Sequence, residues 1–198
     1  MNYDDYKTIA APSEGSYSEK RSRFLSFAFP VKTADEAKAI VADFRKKYYD
    51  ARHVCWAYML GIDGLTYRSN DDGEPSSTAG KPILGQIKSN ELTDILVIVV
   101  RYYGGIELGT SRLTVAYRTA AAEAIAAAEI KEMTVDETFD LSFDYQDINS
   151  IMRVIKEEQP TVLKQDLGMT CTMTLSIRKS RAETLKNRLL KANNSVKL

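Results

Sequence analysis

The sequence predicts an α+β protein of two units, divided near residue 133, and three observations carry that prediction. The run Ile95-Leu96-Val97-Ile98-Val99-Val100 is apolar at every position, the pattern of a strand covered on both faces. A glycine turn and an alanine-rich helical pattern follow it directly. Beyond residue 133 the hydrophobic pattern restarts and runs through its own β-α-β-β-α-β order, a ferredoxin-like arrangement. With 198 residues, 44% hydrophobic and 27% charged, each unit can bury a core without disulfides or metal.

The Tyr-rich opening reads as extended chain. Phe24 to Val31 is a strand that Pro30 helps to end, with Lys20, Arg21 and Arg23 placing cations at its start. Thr33 followed by Glu36 is a capping box, and Ala37, Ile40, Val41, Phe44 and Tyr48 recur behind it at helical spacing, so a helix is expected from about 34 to 48. His53 to Leu60 and Leu65 to Ser69 read as antiparallel strands joined by the turn Gly61-Ile62-Asp63-Gly64. The stretch from Asn70 to Gly80 concentrates turn formers with almost no apolar residue and is expected to be a surface loop. Lys81 to Asn90 holds a short helical pattern. From Arg112 to Ala128 a second, longer one has Leu113, Ala116, Tyr117, Ala120, Ala121, Ala124 and Ile125 on one face, and its small side chains allow close approach to the sheet.

In the second unit Phe139, Leu141, Phe143 and Tyr145 alternate with polar residues, and Ile148, Ile151, Met152 and Ile155 mark a helix that Pro160 closes. Thr161 to Leu167 is the next strand. Cys171, Met173, Leu175 and Ile177 then alternate with Thr170, Thr172, Thr174 and Ser176, giving a strand with one apolar and one hydroxylic face. Ser180 and Glu183 form another capping box, and Ser195 to Leu198 is a candidate last strand.

Lys plus Arg and Asp plus Glu both total 27, so bulk electrostatics do not favour nucleic acid, although a local basic stripe stays open. Cys55 and Cys171 each lie in an apolar strand pattern and read as buried thiols rather than as a disulfide or zinc pair. The polar, acidic start lacks a secretory core, and no run approaches the ~18 apolar residues of a membrane span, which makes the cytoplasm the expected location.

Chemistry concentrates where Arg101-Tyr102-Tyr103-Gly104-Gly105 leads into the alanine-rich helix. A strand-to-helix turn exposes backbone N–H groups at the positive end of the helix dipole, with Thr110 or Ser111 as N-cap and Arg101 and Arg112 adding charge. That is a receptor for phosphate or carboxylate. The glycines equally serve a tight turn, and their spacing is neither a P-loop nor a dinucleotide fingerprint. His53 shares a strand face with Cys55, but a buried thiol is a poor nucleophile, so His53 is expected instead to organise the acidic loop of Asp71, Asp72 and Glu74. These carboxylates lack calcium-hand spacing, and Ser76, Ser77 and Thr78 lack a nucleophile elbow.

The segments KRSRF, RHVCWAY, SNDDGEPSSTAGKPI and GKPILGQIKSNELTDILVIVVRYYGGIELG resemble the signature of the IMPACT/YigZ family in a bacterial member. The resemblance spans essentially the whole chain. It implies a first unit, 1–133, with the fold of the second domain of ribosomal protein S5, and a ferredoxin-like second unit, 134–198, similar to the last domain of elongation factor G. Both analogues contact ribosomal RNA. Eukaryotic relatives regulate translation initiation through an added N-terminal domain that has no counterpart here. Motif positions carried over are Arg23, Arg52, His53, Asp72, Gly73, Glu74, Pro75, Thr78, Ala79, Gly80, Arg101, Tyr102, Gly104, Gly105 and Gly109.

The expected binding set is Arg23, Arg52, His53, Asp72, Glu74, Thr78, Arg101, Tyr102, Gly104, Gly105 and Arg112, with no catalytic residue, metal or cofactor assigned. The leading reading is a non-catalytic, translation-linked regulator that binds RNA, the ribosome or a translation-associated protein. Its rival is an enzyme acting on a small phosphorylated or acylated substrate. A third makes the second unit a protein-docking module.

Overall fold

The computed structural model describes residues 4–192 and 195–198, so Met1 to Tyr3 of the extended opening lie outside the described residues. The first compact unit runs from Tyr6 to Met133; the second, Thr134–Leu198, takes in Asp4 and Asp5. Together they mix helices and strands as an α+β protein does.

The chain begins with β1 (Asp5–Ile9), β2 (Ser13–Glu19), β3 (Ser22–Pro30) and α1 (Ala34–Lys47). The Thr33 hydroxyl accepts from Glu36 N at 3.1 Å, and the Glu36 carboxylate accepts from Lys32 N at 2.8 Å, so the capping box closes one residue further out than usual. Then come β4 (His53–Leu60), β5 (Thr66–Asn70), α2 (Gly80–Ser89), β6 (Ile95–Tyr102), α3 (Gly109–Ala126) and β7 (Ile130–Thr134). Five strands form an antiparallel sheet in the order β2-β3-β6-β4-β5, with β6 at its centre as its apolar run requires. β7 had no counterpart in the sequence reading; it pairs with β1 in a two-stranded ribbon.

The sheet is buried on both faces. Phe27, Val54, Trp56, Leu96, Ile98 and Val100 pack under α1, whereas Phe24, Cys55, Ala57, Val97 and Val99 pack under α2 and α3. Alternation along each strand assigns the faces, and this decides which polar side chains can meet at the strand ends. The alanine face of α3 lets it lie close to the sheet edge, where Ser13 Oγ donates to Ala124 O at 2.7 Å.

The second unit contains β8 (Asp136–Asp144), α4 (Ile148–Glu158), β9 (Thr161–Leu167), β10 (Thr170–Arg178) and α5 (Lys179–Ala192). Its sheet order is β8-β10-β9, and Lys197 exchanges two 2.9 Å backbone hydrogen bonds with Ser142 on the outer side of β8. Cys171, Met173, Leu175 and Ile177 face the helices, as their alternation predicts. Ser180 does not cap α5. The helix starts a residue earlier, and the Asp4 carboxylate accepts from both Ser180 N, at 2.8 Å, and the Ser180 hydroxyl. A carboxylate brought in from outside the segment replaces the local cap.

Candidate functional site

The stretch 70–80 is less of a surface loop than its composition suggests, because Glu74, Thr78, Ala79 and Gly80 are buried. The reason is Asp71. Its Oδ1 accepts from Ala79 N at 3.0 Å and Gly80 N at 2.8 Å, its Oδ2 accepts from Ser77 N at 2.9 Å, and its carbonyl accepts from Glu74 N at 2.9 Å. One carboxylate side chain thus folds the loop onto itself and caps α2, whose own N-cap residue, Ala79, offers no side-chain acceptor. Thr78 closes the inner turn through a 2.6 Å bond from its hydroxyl to Pro75 O.

Glu74 is thereby inserted beneath the ends of β4 and β6. Its side chain is 3% exposed and that of Arg101 6%, and Arg101 Nη1 donates to Glu74 Oε1 at 2.5 Å. The hydroxyl of Tyr117, on α3, donates to the same oxygen at 2.8 Å. Among the described residues Arg101 Nε is buried without a hydrogen-bond partner, which costs stability unless a ligand or water meets it. The Arg101 guanidinium also lies 5.7 Å from the centre of the Tyr103 ring.

His53 stands opposite Arg101 in the β4–β6 register. Its Nδ1 is 2.7 Å from Asp72 O, and since a carbonyl only accepts, Nδ1 carries the proton. That orients Nε2 towards Glu74 Oε1, 3.7 Å away. The Asp72 carboxylate does not enter this cluster. It accepts from Val54 N at 2.7 Å and from Arg45 at 2.5 Å, tying the loop to β4 and α1.

Cys55 lies behind His53, fully buried, 3.0 Å from Asp71 O and 3.3 Å from the Tyr117 hydroxyl oxygen. Burial, with Glu74, Asp72 and Asp71 nearby, raises its pKa far above the ordinary thiol value, so it holds its proton and is a poor nucleophile. Burial likewise raises the pKa of Tyr117.

These groups open on a cleft of about 500 Å³. Arg52, His53, Glu74, Pro75 and Arg101 line it, together with Tyr103, Glu107 and the start of α3 at Leu108, Gly109 and Thr110. The helix does not start as the sequence suggested. Its N-cap is Leu108 rather than Thr110 or Ser111, and no side chain caps it. Gly109, at φ +72°, turns the chain into the helix early, so the first turn of α3, which lines the cleft, has no side-chain cap for its N–H groups.

The expected binding residues therefore divide by sheet face. Arg52, His53, Glu74 and Arg101 converge on the cleft. Arg23 and Tyr102 pair in register on the α1 face, with the guanidinium 5.4 Å from the ring centre and the phenol donating to Asp50 at 3.0 Å. Arg112 is exposed on α3 and is not among the cleft-lining residues. Gly104 packs against another turn: an added Cβ would sit 2.1 Å from Arg21 C. Gly105 has open space but a φ of +82°. Asp71 and Tyr117 carry much of the architecture yet stood outside the expected set. Tyr117 was visible as the one large aromatic among alanines, a pattern that reads equally well as core. Among the described residues no group of three or more His, Cys, Asp or Glu could hold a metal, and no helix is long and apolar enough to cross a membrane.

Residues 20–125, which contain every side chain of the cleft, match the Impact N-terminal domain, and this defines the class of the first unit. The chain is 34% identical over 173 residues to an IMPACT family member of Haemophilus influenzae, covering 86% of this chain and 84% of that one. It is 33% identical over 159 residues to IMPACT family member YigZ of Escherichia coli, covering 79% and 78%. The protein belongs to the IMPACT family. A crystal structure described as that of a hypothetical protein superposes with a TM-score of 0.68 at 28% identity, over 98% of this chain and 96% of the other.

Proposed function

We propose that this protein is a non-catalytic, translation-linked regulator that binds RNA, free or in the ribosome, through the cleft of its first unit. Family membership supports the link to translation. The observation that carries RNA binding is the convergence on one cleft of Arg52, the uncapped start of α3 and Tyr103, a residue that is 49% exposed. Cations and backbone N–H groups suit phosphates, and an exposed aromatic offers a stacking surface for a base. Zero net charge counts against binding spread over the whole surface, so the reading rests on this one cleft.

The finer fold assignments belong to the same reading. The order of the Lys197 segment, β8, β10 and β9 is that of a ferredoxin-like sheet and supports it for residues 134–198, and the first unit is read as like the second domain of ribosomal protein S5. A cytoplasmic location fits both.

The test is fluorescence anisotropy of a labelled single-stranded RNA across a salt series, with wild type, Arg52→Ala and Tyr103→Ala. Both residues are exposed, so the fold is retained. Arg52→Ala should weaken binding and reduce the slope of log K against log salt by ~0.7, the value for one phosphate contact on a single strand. Tyr103→Ala should cost ~1–3 kcal/mol with the slope unchanged. Binding that neither substitution alters would refute the reading.

A second reading has one specific support. The Nδ1 hydrogen bond that aims His53 Nε2 at Glu74 in a cleft is an acid–base arrangement, suited to a small phosphorylated or acylated substrate. A panel of such metabolites should then raise the thermal midpoint, with roughly 2.7 kcal/mol of stabilisation at a hundred times the dissociation constant. No stabilisation across the panel would dismiss it.

A further inference from the structure

The outer edge of the second unit's sheet differs from both edges of the five-stranded sheet. β8 is covered on its far side by the Lys197 segment, but among the described residues β9 pairs with β10 alone, and all seven of its residues are exposed. Val162, Leu163 and Leu167 are among them, and Met169 beside the strand is 94% exposed. A fully exposed edge strand with three large aliphatic side chains is a template for another strand.

The sequence of that edge states what fits it. Leu163-Lys164-Gln165-Asp166-Leu167 is symmetric in its apolar residues and antisymmetric in charge about Gln165. When two such strands run antiparallel with Gln165 opposite Gln165, each Leu163 faces a Leu167 and each Lys164 faces an Asp166. Opposed residues in an antiparallel pair point to the same face, so aliphatic meets aliphatic and cation meets anion on either side of the central Gln165 pair. The β9–β10 register sets Lys164 and Asp166 beside Thr174 and Thr172, on the hydroxylic face, where all four line one open groove. Neither Lys164 nor Asp166 has an ion-pair partner among the described residues.

The edges of the five-stranded sheet lack this property. β2 carries only Glu14 and Glu19 as charges and β5 only Arg68, so neither can match opposite charges with its own copy. The one irregularity on β9 is a register shift between Thr174 and Leu175 that leaves Leu163 out of the β10 ladder. It falls at the end of the proposed pairing segment, and Lys164 to Leu167 stay in regular register.

We propose that β9 is a self-association surface, on which a second copy of this chain pairs antiparallel about Gln165 to join the two sheets across a two-fold axis. Such an interface is isologous, with each contact made twice. A single strand pair buries less than the ~1,600 Å² of a standard stable complex, so the association depends on concentration.

Sedimentation of the full chain over a concentration series tests this. Wild-type mass should move from 22.2 kDa towards twice that value. Asp166→Lys alone sets Lys opposite Lys, and Lys164→Asp alone sets Asp opposite Asp, so each variant should raise the dissociation constant at least tenfold. Their equimolar mixture should restore the dimer, because the two variants complement one another at both positions. As an independent readout, Gln165→Cys should form an intermolecular disulfide under mild oxidation, since the two-fold brings that position against itself, whereas Thr161→Cys should not. The native cysteines are both buried and do not compete. A chain monomeric at every concentration, or single-charge variants that dimerise like wild type, or a mixture that fails to restore the dimer, would overturn self-pairing. The first of these outcomes would leave the edge to a strand from a different protein.

Discussion

Removing Glu74 should destabilise the first unit severely. The carboxylate is almost fully buried, and in Glu74→Ala the Arg101 guanidinium, 6% exposed, loses the acceptor it holds at 2.5 Å while Tyr117 loses one at 2.8 Å. Arg101 already has an unpartnered Nε, so a second orphaned donor leaves a buried cation with little compensation. Breaking one side of a buried ion pair typically costs ~3–5 kcal/mol, against ~0–1 kcal/mol for an exposed pair. Urea unfolding followed by tryptophan fluorescence isolates this unit, because Trp56 is the sole tryptophan and lies in β4. With a slope of ~2 kcal/mol per M, the midpoint should fall by roughly 1.5–2.5 M. Glu74→Ala/Arg101→Met should recover part of the loss, since the stranded charge is gone. A loss below ~1 kcal/mol in the single variant would refute the account of this pair as a buried structural element.

Other substitutions separate the remaining roles. Asp71→Ala removes the acceptor of three loop N–H groups and the side-chain cap of α2, so it should cost ~2–4 kcal/mol by the same fluorescence assay. A change under ~0.5 kcal/mol would show that the loop holds without it. Gly104→Ala should be far more damaging than Gly105→Ala: the first drives a Cβ into the Arg21 backbone, while the second meets only the ~1–2 kcal/mol of a left-handed alanine. Equal thermal midpoints would contradict this order. Cys55 and Cys171 should resist alkylation in the native protein and react fully in urea, as mass spectrometry can record. Because Cys55 and Tyr117 hold their protons more tightly when folded than when unfolded, the stability they contribute is complete below the unfolded pKa values. It should decline as pH rises past ~8.5, where the unfolded thiol ionises first. A unit that grows more stable between pH 8 and 10 would reverse that sign.

Local pattern determined much of this molecule. The all-apolar run at 95–100 could only be a covered central strand, the capping box at Thr33 and Glu36 starts α1 where expected, and alternation from Cys171 to Ile177 assigned the buried face of β10. Each of these rests on neighbours within a few residues, where period and propensity decide. The sequence also singled out His53, Glu74 and Arg101 by their chemistry, and the family motif added Arg52. What it could not do was sort them from Arg23, Tyr102 and Arg112, because a difference of one residue along a strand sends a side chain to the opposite face of the sheet. Nor could it show that a polar loop is buried, since that depends on Asp71 reaching six to nine residues ahead to gather N–H groups and on Tyr117 arriving 43 positions later to meet Glu74. Composition settles whether a segment can form a strand or helix. Only the tertiary structure, by pairing β4 against β6 and laying α3 across their ends, decided which charges share a cleft and which stand on the opposite face.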